Sequence, residues 1–386
     1  MTTHNSFDIA VIGAGVFGSW IAYQLRREGA SVILIDAYGA GNSRASSGGE
    51  SRIIRMGYGP DDIYTRSAVR SFVLWREFFE RIKPSPPLFH KTGVLWVARG
   101  EDAYCKATIT TLQEAGVPTE QLTGDELKTR YPQFHFDDHS WAILEPDSGG
   151  MMARRAVQAV ALQTVSNGTT IINEAVLPPN SDAAIDSVIT SKGTRVSAGT
   201  FVFACGPWLP KLFPSTLEGL IHVTRQEVFF FGTPAGDMSF SGELAPIWID
   251  FNDFVYAIPN LENRGFKLAI DAHGPEFDPD TEDRVVTESG LQAVRAYVNR
   301  RVPALSGAPI TETRICQYEN TSNGDFLIDR HPEFDNVWLV GGGSGHGFKH
   351  GPAVAEYVVR MISSDSPAEP RFQLGSKGRH RNRQVY

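Results

Sequence analysis

The chain has 386 residues, of which 41% are apolar and 21% charged, and its 44 acidic residues outnumber its 36 lysines and arginines. The net charge of -8 gives no general attraction to nucleic acid or anionic lipid, and the length predicts two or three domains. No apolar run reaches the roughly 20 residues of a membrane-spanning helix, and the first residues lack the zones of a secretory signal. Three cysteines predict no disulfide framework, which favours a cytoplasmic protein.

A strand, a glycine-rich turn and a helix are predicted at the start of the chain. The apolar run Phe7–Ile12 precedes Gly13-Ala-Gly15-Val-Phe-Gly18, and helical spacing follows from Ser19 to Glu28. A second strand, Ser31–Ile35, ends on Asp36. Such glycines let a pyrophosphate approach the backbone, and the acid accepts hydrogen bonds from a ribose. The unit predicts a dinucleotide site that takes FAD or NAD, since an acid repels the 2′-phosphate of NADP.

The middle of the chain alternates between strands and helices. Helices are predicted over 61–82 and 287–301, and the β-rich runs between Thr169 and Ala204 are predicted to be antiparallel strands. An antiparallel sheet with few helices is favoured by four further runs: Glu227–Phe231, Pro246–Asp250, Phe254–Ile258 and Gly265–Ile270.

A second glycine cluster stands near the end of the chain. Strand Val337–Val340 leads into glycines between 341 and 347, and a helix follows from about Pro352 to Ile362. A site assembled from both chain ends implies a bulky cofactor, which favours FAD over NAD. Basic residues follow Pro370, among them Lys377, Arg379, Arg381 and Arg383. We interpret them as a solvated flexible tail, with a binding arm as the alternative.

These elements predict an α/β plus antiparallel-β fold, in which a Rossmann-like FAD-binding domain is interleaved with a mainly antiparallel-sheet substrate domain. The discontinuous FAD-binding domain takes residues 1–85, 150–215 and 315–365. The substrate domain takes 86–149 and 216–314, and 366–386 form the basic C-terminal tail.

Six segments resemble the monomeric sarcosine oxidase and N-methyl amino acid oxidase branch of the D-amino-acid-oxidase-like flavoproteins. They are Gly13 to Asp36, Ser51-Arg-Ile-Ile-Arg55, Phe266-Lys267, Cys316-Gln-Tyr318, Asp325-Phe-Leu-Ile-Asp329 and Ser344-Gly-His-Gly-Phe-Lys349. The resemblance implies bound FAD and oxidation of a secondary amine or N-substituted amino acid by O2, with release of hydrogen peroxide. It also implies a monomer with no nucleic-acid or membrane partner.

The resemblance assigns roles to individual residues. Arg55 and Lys349 match residues that hold a substrate carboxylate, Lys267 matches the lysine that promotes oxygen reduction, and Arg52 and Tyr256 match active-site positions. Cys316 matches the thiol that joins FAD as an 8α-S-cysteinyl thioether, whereas Cys105 is interpreted as an ordinary helix residue and Cys205 as packing beside the nucleotide. The expected cofactor-binding residues are Gly13, Gly15, Val16, Phe17, Gly18, Asp36, Ala37, Ser43, Ser46, Ser47, Arg52, Cys205, Gly206, Trp208, Cys316, Gly343, Gly345, His346, Gly347, Phe348 and Lys349.

Two departures from the family pattern concern the substrate. Ser47-Gly48 stands where sarcosine-type enzymes carry a histidine pair, and Asp271 replaces another histidine. Gly48 is expected to widen the pocket and Asp271 to attract a cation or accept a proton. A larger substrate such as pipecolate, an N-methylated aromatic amino acid or a fructosyl amino acid is therefore as plausible as sarcosine.

Three alternatives remain open at this stage. A flavin dehydrogenase would pass its electrons to another acceptor, and a noncatalytic FAD-bound scaffold would oxidise no amine. His346 and His350, four residues apart, have the spacing of metal ligands, but no third ligand stands near them and we expect no metal.

Overall fold

The computed structural model describes residues 6–179, 184–364 and 366–380, so residues 1–5 and the basic Arg381 and Arg383 lie outside it. No helix within these ranges is long and apolar enough to cross a membrane. The strands are β1 (Phe7–Ile12), β2 (Val32–Asp36), β3 (Arg52–Ile54), β4 (Phe89–His90), β5 (Val94–Arg99), β6 (Glu120–Leu122), β7 (Ser140–Glu145), β8 (Gly149–Met151), β9 (Thr170–Asn173), β10 (Ser187–Ile189), β11 (Arg195–Phe203), β12 (Ile221–Phe231), β13 (Ile247–Asp250), β14 (Val255–Ile258), β15 (Phe266–Ile270), β16 (Ile310–Thr321), β17 (Leu327–Arg330) and β18 (Val337–Gly341). The helices are α1 (Val16–Arg27), α2 (Asp62–Ile82), α3 (Ala103–Glu114), α4 (Gly124–Arg130), α5 (Ala153–Ser166), α6 (Leu209–Leu212), α7 (Pro214–Leu217), α8 (Glu288–Arg301) and α9 (Gly351–Ser363).

The first sheet combines strands from both ends of the chain, in the order β17-β18-β11-β1-β2-β9. Its central strands are parallel, and α1, α2, α5 and α9 pack in the core on one face. Along β1, Ile9 and Val11 belong to that core, whereas Ala10 and Ile12 belong to the core on the opposite face. Burial on both faces explains why β1 is a continuous apolar run instead of an alternating one.

The prediction of antiparallel strands between Thr169 and Ala204 is wrong for two of the three strands. β9 pairs in parallel with β2, and β11 runs parallel to both β1 and β18. The third strand, β10, is antiparallel to β11. Short β-branched runs contain no information about strand direction, because direction depends on partner strands that are distant in the sequence.

The second sheet has the order β16-β12-β15-β14-β13-β5-β7-β6, and its neighbours are antiparallel except for the parallel pair β5 and β13. Phe229 and Phe231 of β12 pack with α8 in the core on one face. The alternate residues Val228 and Phe230 contact Cys316 of β16 on the other face. Because side chains alternate along β12, one face of the strand packs in the core and the other face is available for a site. The predicted mainly antiparallel sheet is confirmed.

The prediction of a solvated tail is wrong for residues 366–380. The Arg371 guanidinium pairs with Asp61 and Asp325, each at 2.6 Å. Phe372 and Lys377 are each 7% exposed. Acidic groups from distant parts of the chain pair with Arg371, and Phe372 provides an apolar anchor that its charged neighbours mask in the sequence.

Candidate functional site

The turn between β1 and α1 packs tightly against neighbouring backbone. Gly13 has a φ of +102°, and a Cβ there would lie 2.3 Å from the carbonyl oxygen of Ala204. A Cβ on Gly18 would lie 1.8 Å from the Gly13 carbonyl oxygen. The Asp36 carboxylate accepts the Ala14 N–H at 2.7 Å, and burial raises the pKa of Asp36. These glycines therefore bring the chain close to its neighbours, and the acid lies beside the turn.

A long cleft runs from this turn to β16, with a volume of about 1310 Å³ including its open mouth. It contains most of the residues predicted to bind the cofactor: Gly13, Gly15, Val16, Phe17, Asp36, Ala37, Ser46, Ser47, Arg52, Cys205, Gly206, Trp208, Cys316, Gly343, Gly345, Gly347 and Phe348. Residues from both chain ends thus line one cavity.

The other predicted residues lie elsewhere. Gly18 packs beneath the turn, and the Ser43 carbonyl accepts a hydrogen bond from Arg314 at 2.8 Å. Gly48 does not line either cavity, because it is packed inside its loop, where a Cβ would lie 1.9 Å from the Asn42 carbonyl oxygen. Gly48 therefore allows close packing of this loop, and the prediction that it widens the substrate pocket is wrong.

A small chamber of about 790 Å³ adjoins the long cleft and shares Arg52, Cys316, Tyr318, Gly345 and Phe348 with it. Its remaining lining includes every other predicted catalytic residue and both predicted carboxylate-binding residues: Arg55, Tyr256, Lys267, Asp271 and Lys349. His346 also lines this chamber and not the cleft. A group in the cleft and a small molecule in the chamber would therefore meet at the shared residues.

Two buried cationic side chains face the chamber. Arg55 and Lys349 are 7% and 5% exposed. The Arg55 guanidinium carbon lies 4.4 Å from the Tyr58 ring centroid, and Lys349 Nζ lies 2.7 Å from the Tyr58 hydroxyl oxygen. Burial and the charge of Arg55 lower the pKa of Lys349 well below its usual range. The tyrosine that both basic groups contact is neutral, so an anionic ligand would stabilise the charged forms of both side chains.

A buried carboxylate fixes the segment that follows Arg55. Glu145 is fully buried, and its oxygens accept the backbone N–H groups of Met56 and Gly57 at 2.8 and 3.0 Å. The indole N–H of Trp96 donates to the same carboxylate at 2.8 Å. Glu145 thus positions Arg55 by anchoring the two residues that follow it.

An acid stands on the other side of the chamber. The Tyr318 hydroxyl donates to Asp271 Oδ1 at 2.6 Å. Loss of contact with water raises the pKa of Asp271 to about 6, although the hydrogen bond from Tyr318 and the charges of Arg55 and Lys349 oppose this change. Asp271 is therefore ionised at neutral pH and protonated in mildly acidic solution.

Lys267 and Cys316 lie near the boundary between the cleft and the chamber. Lys267 is 2% exposed, its Nζ donates to the Ser51 carbonyl at 2.8 Å, and burial lowers its pKa well below the usual range. The Arg52 guanidinium lies 3.2 Å from Cys316 Sγ. A positive charge beside a sulfur promotes its reaction as a nucleophile.

The long cleft fits a dinucleotide such as FAD. Its walls include glycine backbone at 13, 15, 343 and 345 and the carboxylate of Asp36. Glu319 Oε2 lies in the same wall, is buried, and has no hydrogen-bond partner among the described residues. Burial raises the pKa of Glu319 to about 7. A buried polar atom of this kind requires a partner, which a hydroxyl group of a bound cofactor would supply.

Several polar residues of the site were missed from the sequence, namely Tyr58, Glu145, Gln226, Glu319 and His350. A glutamate inside the apolar run Ala142-Ile-Leu-Glu145 was a usable signal, because buried acids need partners. No local pattern distinguishes Glu319 from a solvated strand residue. Within the described residues, no group of three His, Cys, Asp or Glu side chains is arranged to hold a metal ion.

The model of the DAO family of FAD-dependent oxidoreductases matches residues 8–361. The chain belongs to this family. Monomeric sarcosine oxidase from Bacillus sp. (strain B-0618) is 30% identical over 370 residues, which cover 94% of this chain and 93% of that protein. N-methyl-L-tryptophan oxidase from Yersinia pestis (strain Pestoides F) is 27% identical, with 97% of this chain and 100% of that protein covered.

Several solved structures share the fold of this protein. L-proline dehydrogenase from P. horikoshii has a TM-score of 0.82 and 25% identity, with 96% of this chain and 97% of that chain covered. A modified fructosyl peptide oxidase from Aspergillus nidulans also has a TM-score of 0.82, with 20% identity and with 95% and 93% of the two chains covered. The predicted fold class and the resemblance to the sarcosine oxidase branch are confirmed.

Proposed function

We propose that this FAD-dependent oxidoreductase oxidises the C–N bond of a secondary amine or N-substituted amino acid that carries a carboxylate. O2 is the proposed electron acceptor and hydrogen peroxide the product. The observation that carries the proposal is the small chamber, in which Arg55 and Lys349 face Asp271 beside the long cleft. Such a chamber matches a zwitterionic substrate, with cations for its carboxylate and an acid for its amine.

The carboxylate of the substrate is proposed to bind Arg55 and Lys349. A guanidinium offers two parallel N–H donors to a carboxylate, and its charge persists in a buried site. Because Glu145 anchors the residues that follow Arg55, little freedom would be lost when the substrate binds. The carboxylate thereby fixes the position of the C–N bond inside the chamber.

Asp271 is proposed to attract the ammonium group of the substrate and to accept its proton. The carboxylate is ionised above a pKa of about 6, and Tyr318 holds one of its oxygens in place. Loss of the ammonium proton is required because a protonated nitrogen cannot release electrons to form a C=N bond. Val228, Ile249 and Phe251 give the chamber apolar walls that limit water.

The residues that line the long cleft are proposed to hold FAD, with Asp36 and the glycine turn at one end and Arg52, Cys316 and Phe348 at the other. Bound FAD would supply the acceptor for the two electrons that leave the substrate. Lys267, at the boundary with the chamber, would place a positive charge where O2 gains negative charge.

Anaerobic bleaching of the yellow holoenzyme by a panel of amines tests the function. We expect N-alkylated or cyclic secondary amino acids to bleach the flavin, and their amides to do so much less readily. Aerobic turnover should then release one peroxide per amine oxidised. Bleaching without peroxide would instead support a dehydrogenase, a second candidate that the likeness to L-proline dehydrogenase favours. No bleaching by any amine would leave only a noncatalytic scaffold.

Covalent attachment of the flavin to Cys316 is tested by acid precipitation. We expect the wild-type pellet to remain yellow and the Cys316→Ser pellet to be colourless, because serine forms no thioether. Cys205→Ser is the matched control, since Cys205 lines the same cleft but burial raises its thiol pKa far above the usual value. A colourless wild-type pellet would contradict the linkage.

The role of Asp271 predicts a specific pH profile. Because its pKa is raised to about 6, kcat/KM should fall as the pH drops through about 6 and the carboxylate becomes protonated. Asp271→Asn should remove this inflection. Tyr318→Phe should move it to higher pH, because the tyrosine hydrogen bond lowers the pKa of Asp271. An unchanged inflection in Asp271→Asn would assign it to another group.

A further inference from the structure

A row of hydrogen-bonded side chains leads from the small chamber to α2. Lys349 Nζ lies 2.7 Å from the Tyr58 hydroxyl oxygen, and that oxygen lies 2.7 Å from His350 Nε2. On the other side of the imidazole, Nδ1 lies 2.9 Å from the Ser67 hydroxyl. Lys349, Tyr58 and His350 are 5%, 1% and 0% exposed, whereas Ser67 is half-buried on α2. Three contacts of normal hydrogen-bond length therefore join the buried lysine to a residue near the surface.

The imidazole in this row is neutral. Burial, followed by the charge of Lys349, lowers the pKa of His350 well below its usual value. A neutral imidazole has one N–H donor and one acceptor nitrogen, so it can pass a proton by exchanging these roles. His346 donates from Nε2 to the Gly324 carbonyl at 3.0 Å, and its Nδ1 lies 3.2 Å from the Tyr58 hydroxyl. His350 makes the shorter contact with this hydroxyl.

Binding of a carboxylate ligand would favour the protonated form of Lys349. Its Nζ contacts the Tyr58 hydroxyl and donates to the His346 carbonyl, and both of these groups are uncharged. A carboxylate placed beside it would stabilise the ammonium form by direct charge interaction. The titratable or charged groups that face Lys349 or His350 are Arg55, Tyr58, Tyr64, Glu145, Asp271 and His346.

On the basis of the carboxylate-binding role proposed above, we propose that Ser67, His350, Tyr58 and Lys349 form a proton relay that protonates Lys349 when the substrate carboxylate binds. Water gives a proton to the Ser67 oxygen, and the Ser67 proton moves to His350 Nδ1. The proton on His350 Nε2 moves to the Tyr58 oxygen, and the Tyr58 proton moves to the lysine nitrogen. One proton leaves the solvent and one appears on Lys349, no electron is transferred, and every hydrogen bond in the row reverses its direction.

Stopped-flow mixing of the holoenzyme with propionate or benzoate tests the relay without turnover. Flavin absorbance reports ligand binding, and an indicator dye in weak buffer reports protons. We expect the wild type to take up as much as one proton per site in step with binding. The uptake should increase as the pH rises, because the lowered pKa of Lys349 lets it lose its proton in the free protein at a lower pH than an ordinary lysine does. In His350→Gln and Tyr58→Phe, the rate of proton uptake should be about a hundredfold lower than in the wild type.

Substitutions on α2 separate the relay from packing. Ser67→Ala should slow proton uptake, whereas Ser67→Thr, which keeps the hydroxyl, should restore it. Ser71→Ala is the matched control, because Ser71 accepts the Ala353 N–H at 3.1 Å and links the same two helices outside the row. Its proton kinetics should match those of the wild type. Because Ser67 is half-buried, its variants also keep the test available if Tyr58→Phe does not fold.

Three outcomes would overturn the relay: carboxylate binding without proton uptake at any pH, wild-type uptake rates in both His350→Gln and Ser67→Ala, or no carboxylate binding at all. The bleaching assay with the amine panel tests the proposed function independently of the proton-uptake assay. An enzyme that oxidises amines but takes up no proton with propionate keeps its proposed function and loses the relay.

Discussion

Replacing Lys267 by methionine should slow the reaction of the reduced enzyme with O2 by about 100-fold to 1000-fold, while anaerobic bleaching by substrate changes only a few-fold. The ammonium group is 2% exposed and is fixed by the Ser51 carbonyl. Burial and Arg52 lower its pKa and so disfavour the ammonium form in the free protein, whereas negative charge that develops beside it would stabilise that form. Methionine has a similar shape but cannot supply this charge. Stopped-flow mixing of the reduced enzyme with buffers of known oxygen content measures the effect.

Lys211→Met provides the matched control for Lys267. Lys211 also lines the long cleft, but it is partly exposed and pairs with Asp278 and Asp280 at 2.6 and 2.7 Å. Oxygen kinetics should be unchanged in this variant. Wild-type oxygen kinetics in Lys267→Met would show that another group promotes the reaction.

Replacing Arg55 by alanine should raise the KM of carboxylate substrates about 100-fold or more. Truncating one partner of a buried, charged hydrogen-bonded pair costs about 2 to 5 kcal/mol. The flavin spectrum should change little, because Arg55 lines the chamber and not the long cleft. Steady-state kinetics over a range of substrate concentrations, together with titration by propionate, measures the loss.

The amide of the same substrate tests whether Arg55 acts through the carboxylate. The wild type should prefer the acid strongly, whereas Arg55→Ala should keep only the smaller preference that Lys349 provides. Arg55→Lys should fall between the two enzymes, because an ammonium keeps the charge but not the paired donors. If KM were unchanged for every carboxylate substrate, another residue would have to bind this group.

The sequence predicted a helix well where the apolar spacing and the capping residue at its start agree. Helices α2 and α8 begin within one residue of the predicted positions, because Asp61 and Thr287 cap them with side-chain hydrogen bonds. Helix α1 begins at Val16 and not at Ser19, since Gly15 caps it without any side-chain signal. The direction of the strands between Thr169 and Ala204 could not be predicted from the local sequence, because their partners β1, β2 and β18 are far away in the chain.

The site was predicted mainly through its motifs. Local patterns indicated the glycine turn and Asp36, but β16 was not recognised as a strand from its composition. The segment Ile315-Cys-Gln-Tyr-Glu319 is polar because it lines both the cleft and the chamber, and polar side chains obscure the apolar pattern of a buried strand. For the same reason, Glu319 and the pair of Tyr58 with His350 become visible only when the chain is folded.

The strand order of the first sheet has a consequence for biosynthesis. β11 lies between β1 and β18, and β18 begins about 330 residues after β1. At about 5 to 20 residues per second, roughly 15 to 65 s separate the synthesis of these strands. Until β18 emerges, residues 201–203 of β11 lack one of their partner strands, and the glycines at 343 to 347 that complete the cleft have not been made. The first sheet therefore stays incomplete during most of translation. We expect the cofactor to bind only at the end of translation or later.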